Sequence, residues 1–413
     1  MEYSLSNSLV GGSKSLNSLG LSLDLRFAED KSLTARKGPT PTFTRASTAT
    51  YYGPLIDVNS NTLDTTGVLN GRALWFLTDG TDTITLYYNI NKWQVDTFIG
   101  GVSSSYQAAV GSEYRPDLAD WSAVPGLFIG VSTSSGYGHV IAATNEPRFD
   151  HNTTTQLCKG LLIEESRLNI VFPSNTLTTQ TRPVTATPYT LSFYGTGTIV
   201  LSGVAVATVT GTGSYPIRTT LTFTPTAGNL VLTVTGSVTQ AQLEAGAFPT
   251  SYIPTTTGSA IRSVDLCSIT GAAFTGIWSG VDATMFFRGA RIANQSNQAN
   301  WDLSFGTGGA TSIASDRGGT TERIIANFIG FMTTAAFTTL AEYKIASALK
   351  TGDYATSFNG ASVITSSSAF VLTLDRLSIG MSRSTNGQLN GWIHSMKFYK
   401  KRLTNAKLQS LTT

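Results

Sequence analysis

Hydrolysis of a glycosidic bond needs two carboxyl groups on facing positions a few ångströms apart, and this 413-residue chain offers few candidates for such a pair. Glu164 and Glu165 are adjacent. Neighbours in a strand point to opposite faces, so each is expected to be solvated or paired with arginine. The three histidines, His139, His151 and His394, have no spacing that would gather them around a metal. His394 alternates with Trp392 and Met396, which predicts a strand residue that packs or faces solvent. Asp150 beside His151 has serines nearby but no nucleophile elbow to complete a triad. Cys158 and Cys267 lie far apart without metal or redox spacing and are expected as buried free thiols. No dense Asp/Asn loop suggests bound calcium. These residues predict no catalytic site, no metal and no cofactor.

Binding is easier to place. A sugar is held by an aromatic plane against its C–H face and by amides or carboxylates on its hydroxyls. Trp301 with Asp302, and Asp316 with Arg317 in the Gly-rich loop 306–321, are the candidate carbohydrate-binding residues. A core tryptophan and an ordinary surface loop are the alternative for the same four residues.

The elements that would carry them are strands. Charged residues are 13% of the chain, Gly numbers 40 and the net charge is +3, against about a quarter charged in ordinary soluble domains. With abundant Ser and Thr this predicts an all-β chain with many polar turns. It also suits a surface that packs against copies of itself or a larger assembly. No basic patch marks a nucleic-acid partner apart from the short run Lys397 to Arg402. No signal peptide is evident at the start, and no apolar run is long enough to span a membrane as a helix.

Residues 1–20 are Ser-, Asn- and Gly-rich, an arm with too little apolar surface to fold alone. Leu21 to Phe27 alternates with period two, the first strand of the body. Phe43 to Tyr51 follows as a strand after the Pro-containing turn 37–41. A small antiparallel meander is expected within 53–138, with strands at Leu74–Leu77, Ile84–Tyr88 and Trp93–Val95. Its aromatic residues could form a binding face or simply its core, and Glu113 to Trp121 reads as a short helix or cover. Strands at 189–194, 197–201, 204–209, 218–223 and 230–235, spaced by Gly, Pro and Asn, predict a sandwich. Beyond Arg262 come strands near 283–288 and 301–305, then an Asn359-Gly360 turn between two more. Leu374 to Gly380 and Leu389 to Tyr399 follow, and last a short helix with Thr404 as its N-cap.

Three stretches carry resemblances. FTRASTATY (43–51) followed by NEPRFDHNTTTQLCKGLLIEESRLN (145–169) resembles a module of tailed-phage virion structural proteins, with 53–138 inserted between its halves. QAQLEAGAFPTSYIPTTTGS (240–259) is similar to the closing segment of jelly-roll modules in phage structural proteins, themselves similar to carbohydrate-binding ones. LSIG and LNGWIHSMKFYKKRLTNAKLQSL resemble the end of a concanavalin-like, laminin-G-like lectin sandwich. The resemblances imply an arm (1–20), a virion-attachment body (21–52 with 139–175), an inserted β-domain (53–138), a jelly roll (176–257) and a concanavalin-like module (258–413). They imply a tail-fibre or head/tail decoration protein in the virion, assembled in the host cytoplasm. Its partners would be other virion proteins and host-surface glycans, and it would form a homo-oligomer, a trimer by preference. A tailspike-like depolymerase and a purely structural decoration protein are the alternatives. Glycosidases of the concanavalin-like class carry two glutamates on one strand in an ExDxxE-like run. Beyond Arg262 the only glutamates are Glu322 and Glu342, so the resemblance extends to binding and not to cleavage.

Overall fold

The computed structural model describes residues 20–54, 64–69, 72–78, 83–89, 92–99, 102–107, 137–293, 295, 297–307, 311–318, 321–326, 329–336, 338–370, 373–384 and 387–413. Among them are 31 strands and three short helices, the all-β class that composition predicts.

The trunk is a sandwich of two sheets. The first, of eight strands, runs in the order Phe149–His151, Cys158–Ile163, Gly391–Tyr399, Asp282–Arg291, Tyr343–Lys350, Tyr354–Phe358 and Ile364–Ser366, and Leu21–Leu25 also pairs with Gly391–Tyr399. The second, of seven strands, runs Thr42–Thr44, Leu266–Thr270, Arg376–Ile379, Ala299–Ser304, Ser312–Gly318, Thr321–Ala326 and Ile329–Ala336. Between them Leu23, Leu25, Phe43, Leu161 and Ile163 pack with Trp301, Leu377, Ile393 and Phe398 in one core. Segments 21–52 and 139–175 therefore do not stand as a body of their own. Their apolar alternation needs a facing layer, and strands from beyond residue 262 supply it.

Two excursions leave this trunk. The first is rooted on the antiparallel pair Ala49–Pro54 and Tyr137–Ala142, with Gly53 directly opposite Gly138. Between these roots lies a five-stranded meander, Asp64–Leu69 to Val102–Gln107, two strands more than the three expected. The stretch 113–121 and the arm 1–19 lie outside the described residues. Because chain ends at 54 and 137 are already cross-strand neighbours, replacing 55–136 by a short Gly linker should close without stretching the trunk. We expect that variant to stay soluble with a melting temperature within a few degrees of the full chain; aggregation would show that the excursion is needed for folding.

The second excursion leaves and returns through Arg167–Asn169 paired with Ala260–Arg262. It is a separate sandwich. Gln180–Val184, Gly228–Thr235, Thr198–Gly203 and Ala207–Thr210 face Thr219–Phe223, Tyr189–Tyr194 and Thr239–Ala245. Leu191, Phe193, Leu201, Leu232 and Leu243 lie in its own core. The last helix, Asn405–Thr412, begins at Thr404, whose hydroxyl accepts the Lys407 N–H at 3.3 Å. Its Leu408 packs with Tyr399 and Ala346 on the outer face of the eight-stranded sheet.

Candidate functional site

The strand Ala299–Ser304 decides where the predicted binding residues go. A bulge between Ala299 and Trp301 breaks the simple alternation. It turns both Asn300 and Trp301 inward and leaves Ala299 and Asp302 on the outer face. Trp301 is 0% exposed and belongs to the trunk core, so it offers no ring to a sugar and leaves the candidate site. Asp302 and Asp316 do come together, in a pocket of about 320 Å³ on the outer face of the seven-stranded sheet. The side chain of Arg317 lies outside the described residues. The guanidinium that sequence reading missed is Arg323, directly across the strand pair from Asp316.

Ala299, Ala314 and Ile325 make the apolar floor of this pocket, and Asn297, Ser382, Arg383 and Ser384 complete its rim. Arg323 grips Asp316 with both ends, Nε to Oδ1 at 2.7 Å and Nη2 to Oδ2 at 3.1 Å. Its Nη2 also reaches Asn297 Oδ1 at 3.3 Å. Asp302 Oδ2 accepts the Arg383 backbone N–H at 3.1 Å and lies 3.5 Å from the Arg383 guanidinium. Burial raises the Asp302 carboxyl from 3.8 to about 6, against the pull of the Arg383 N–H and charge. Two carboxylates and two guanidiniums thus cancel around a small apolar floor; Asp302, Asp316 and Arg383 are nearly buried, and Asn297, Arg323, Ser382 and Ser384 carry the polar groups open to solvent. That suits a polyhydroxylated ligand.

A second polar constellation gathers the motif residues themselves. Arg148 sits at the centre. Its Nη1 contacts Glu164 Oε2 at 2.7 Å and its Nη2 contacts Asp265 Oδ2 at 2.5 Å. Arg45 Nη1 reaches Asp265 Oδ1 at 3.3 Å, and Arg262 Nη1 reaches Glu164 Oε2 at 3.2 Å. Ser251 donates its N–H to Glu164 Oε1 at 2.8 Å and its hydroxyl to Oε2 at 2.7 Å. Three arginines face two carboxylates, and main-chain carbonyls of Ala143, Thr50 and Glu165 accept from them. All five charged side chains are at most 1% exposed. Burial would raise the Glu164 carboxyl, but Arg262, Arg148 and Ser251 bring it down to about 2. A carboxylate so held does not exchange protons near neutrality, so the cluster is a joint. Arg45 and Arg148 flank the root of the first excursion; Glu164, Arg262 and Asp265 flank the root of the second. Glu165, as adjacency requires, goes elsewhere: it pairs with Arg167 at 2.5 Å.

The histidines are dispersed. His394 Nδ1 is 2.8 Å from Glu342. His139 packs among Tyr194, Tyr215 and Tyr252, where burial lowers it to about 4. His151 is buried at the end of Phe149–His151. Neither cysteine forms a disulfide; Cys267 is buried and Cys158 only half-buried.

No protein-family model matches the chain, and no curated protein matches it in sequence. Solved structures resemble it in fold. The CBM40 module of the Ruminococcus gnavus IT-sialidase is 16% identical with a TM-score of 0.30, over 34% of this chain and 87% of that one. Domain 4 of an extracellular arabinanase from Geobacillus stearothermophilus, in complex with arabinotriose, is 13% identical with a TM-score of 0.29, over 40% and 82%. The Trypanosoma rangeli sialidase in complex with sialic acid is 9% identical with a TM-score of 0.28, over 88% and 76%. These are likenesses of fold alone.

Proposed function

We propose that this chain is a phage virion structural protein, a tail fibre or a head or tail decoration, that binds host-surface glycans without cutting them. The observation that carries the binding is the charge-balanced pocket of Asp302, Asp316, Arg323 and Arg383 over its apolar floor. Virion membership is supported by the FTRASTATY and NEPRFDH…GLLIEESRLN resemblance, whose Arg45, Arg148 and Glu164 serve one physical joint. Asp316, gripped by Arg323 at both oxygens, is poorly placed to act as nucleophile or base. The tailspike-like depolymerase stays as a second reading because of Asp302, whose raised carboxyl could serve as an acid.

Incubating the full chain with bacterial-surface polysaccharides and measuring both retention and release of reducing ends separates the two readings. Retention without release is expected; release abolished by Asp302→Asn would make the protein a depolymerase. Immunogold microscopy of the virion tests its place in the particle. A trimer presenting several shallow sites would raise avidity by about 10²–10⁴. Sedimentation showing a monomer at micromolar concentration would remove that expectation.

The binding should depend on pH. Hydroxyl recognition by ionised Asp302 is half lost at about pH 6, growing above it and fading below it. The same raised value acts oppositely on folding: its contribution to stability is full below the ordinary 3.8 and is lost as pH rises through about 6. Asp302→Asn should flatten both profiles, read by glycan titration and by denaturation at several pH values.

A further inference from the structure

We infer that the seam between trunk and jelly roll is a second saccharide subsite, continuous with the first pocket, that takes the neutral continuation of a chain whose end lies against Asp302 and Asp316. This inference rests on the glycan-binding reading. The seam holds a cleft of about 630 Å³, within the range of small-ligand sites. The jelly roll contributes Thr187, Pro188 and residues 245–248, and the trunk contributes residues around 295–298 and 387–390. Asn297 lines both this cleft and the smaller pocket, so the two join around one residue.

The chemistry of its walls selects the ligand. The charged pair in the cleft, Glu165 and Arg167, cancels within itself at 2.5 Å, and the Arg167 guanidinium lies 4.7 Å over the Phe248 ring. An anionic sugar finds no unmatched cation there. Two buried amides brace the wall. Gln298 takes the Gln295 N–H at 3.0 Å and gives Nε2 to the Leu389 carbonyl at 3.0 Å. Asn390 takes the Glu165 N–H at 2.9 Å and gives Nδ2 to Glu165 Oε2 at 2.8 Å. The amides open to the cleft are those of the exposed Gln295 and Asn297. A primary amide, with two N–H groups and two lone pairs, matches a hydroxyl, which both gives and takes.

Two glycines shape the walls. Gly246 has φ +137, and a Cβ there would stand 1.5 Å from Arg167 Nη1. Gly387 has φ +69, and its Cβ would stand 2.3 Å from the Asn297 carbonyl oxygen. Glycine at 246 lets the arginine lie flat against the jelly roll, and glycine at 387 brings its loop against Asn297.

The test uses the full chain and neutral bacterial-surface oligosaccharides graded from disaccharides to octasaccharides. Gln295 and Thr187 are exposed on opposite lips of the cleft, so Gln295→Trp and Thr187→Trp block it without touching a buried contact. Affinity of the unaltered chain should rise at least about tenfold with ligand length, about 1.4 kcal/mol. Both blocking variants should lose that rise while keeping disaccharide affinity and melting temperature, and Asp302→Asn should weaken every length. Length-dependent binding unchanged by both blocks, or no gain with length in the unaltered chain, overturns the second subsite and leaves the first standing. If no oligosaccharide or polysaccharide binds the unaltered chain, the glycan-binding reading falls and takes this inference with it.

Discussion

Arg148→Met is expected to destabilise the protein by about 3–5 kcal/mol, because it leaves Glu164 and Asp265 buried without the cation that touches both. The apolar replacement fits the volume but cannot answer the desolvated carboxylates. The three arginines do not substitute for one another. Of the two carboxylates, Arg45 contacts Asp265 and Arg262 contacts Glu164, while Arg148 bridges both. Glu164→Gln should cost less, since the amide retains its shape and still accepts from Ser251. The acid profile carries a second signature. Glu164 is brought from 4.5 to about 2, so its contribution is present above the ordinary value and is lost as pH falls from about 4.5 toward 2. Urea denaturation of both variants at neutral and acid pH measures this. A loss below about 1 kcal/mol for Arg148→Met would mean the cluster does not hold the roots together.

Trp301→Ala should be comparably severe, about 3–5 kcal/mol, from lost burial and the cavity left between the sheets. Its indole N–H has no hydrogen-bond acceptor among the described residues. Trp301→Phe removes that unsatisfied donor together with some volume and should therefore be much milder. Neither change touches the outer face. If Trp301→Phe abolishes glycan retention at unchanged melting temperature, the inward placement of this side chain is wrong.

Strands formed by near neighbours were plain in the residues. Tyr189–Tyr194 occupies its expected span, and Asn359 and Gly360 both turn with positive φ after Tyr354–Phe358. Thr404 caps where a capping residue stands. The expected strand 204–209 begins only at Ala207, because the chain turns at Gly203 and leaves Val206 exposed. Partners far apart in sequence were not legible. Period two says that Leu23 and Leu25 share a face, but it cannot say that the facing layer comes from beyond residue 262. The same limit hid the joint, since Arg45, Arg148, Arg262, Glu164 and Asp265 meet only when both excursions close. Trp301 and Asp302 could have been separated earlier. Neighbours on a strand cannot ordinarily line one groove, and a large ring beside a small carboxyl is the one expected inside. The bulge that moves Asn300 inward left no mark in composition.

The pairing of Leu21–Leu25 with Gly391–Tyr399 sets a timetable for synthesis. A ribosome must deliver several hundred further residues before the early strand meets its neighbour. Both excursions close on roots much nearer in sequence and can settle while the trunk is still incomplete. Such long-range pairing is slow, and the waiting strands expose open edges to other nascent chains. In a crowded cell making many copies at once, the final strand of one chain can be captured by the early strand of another. Production yield should therefore fall with rising expression rate more steeply than for either excursion made alone, and misassembled material should be enriched in strand-exchanged trunks.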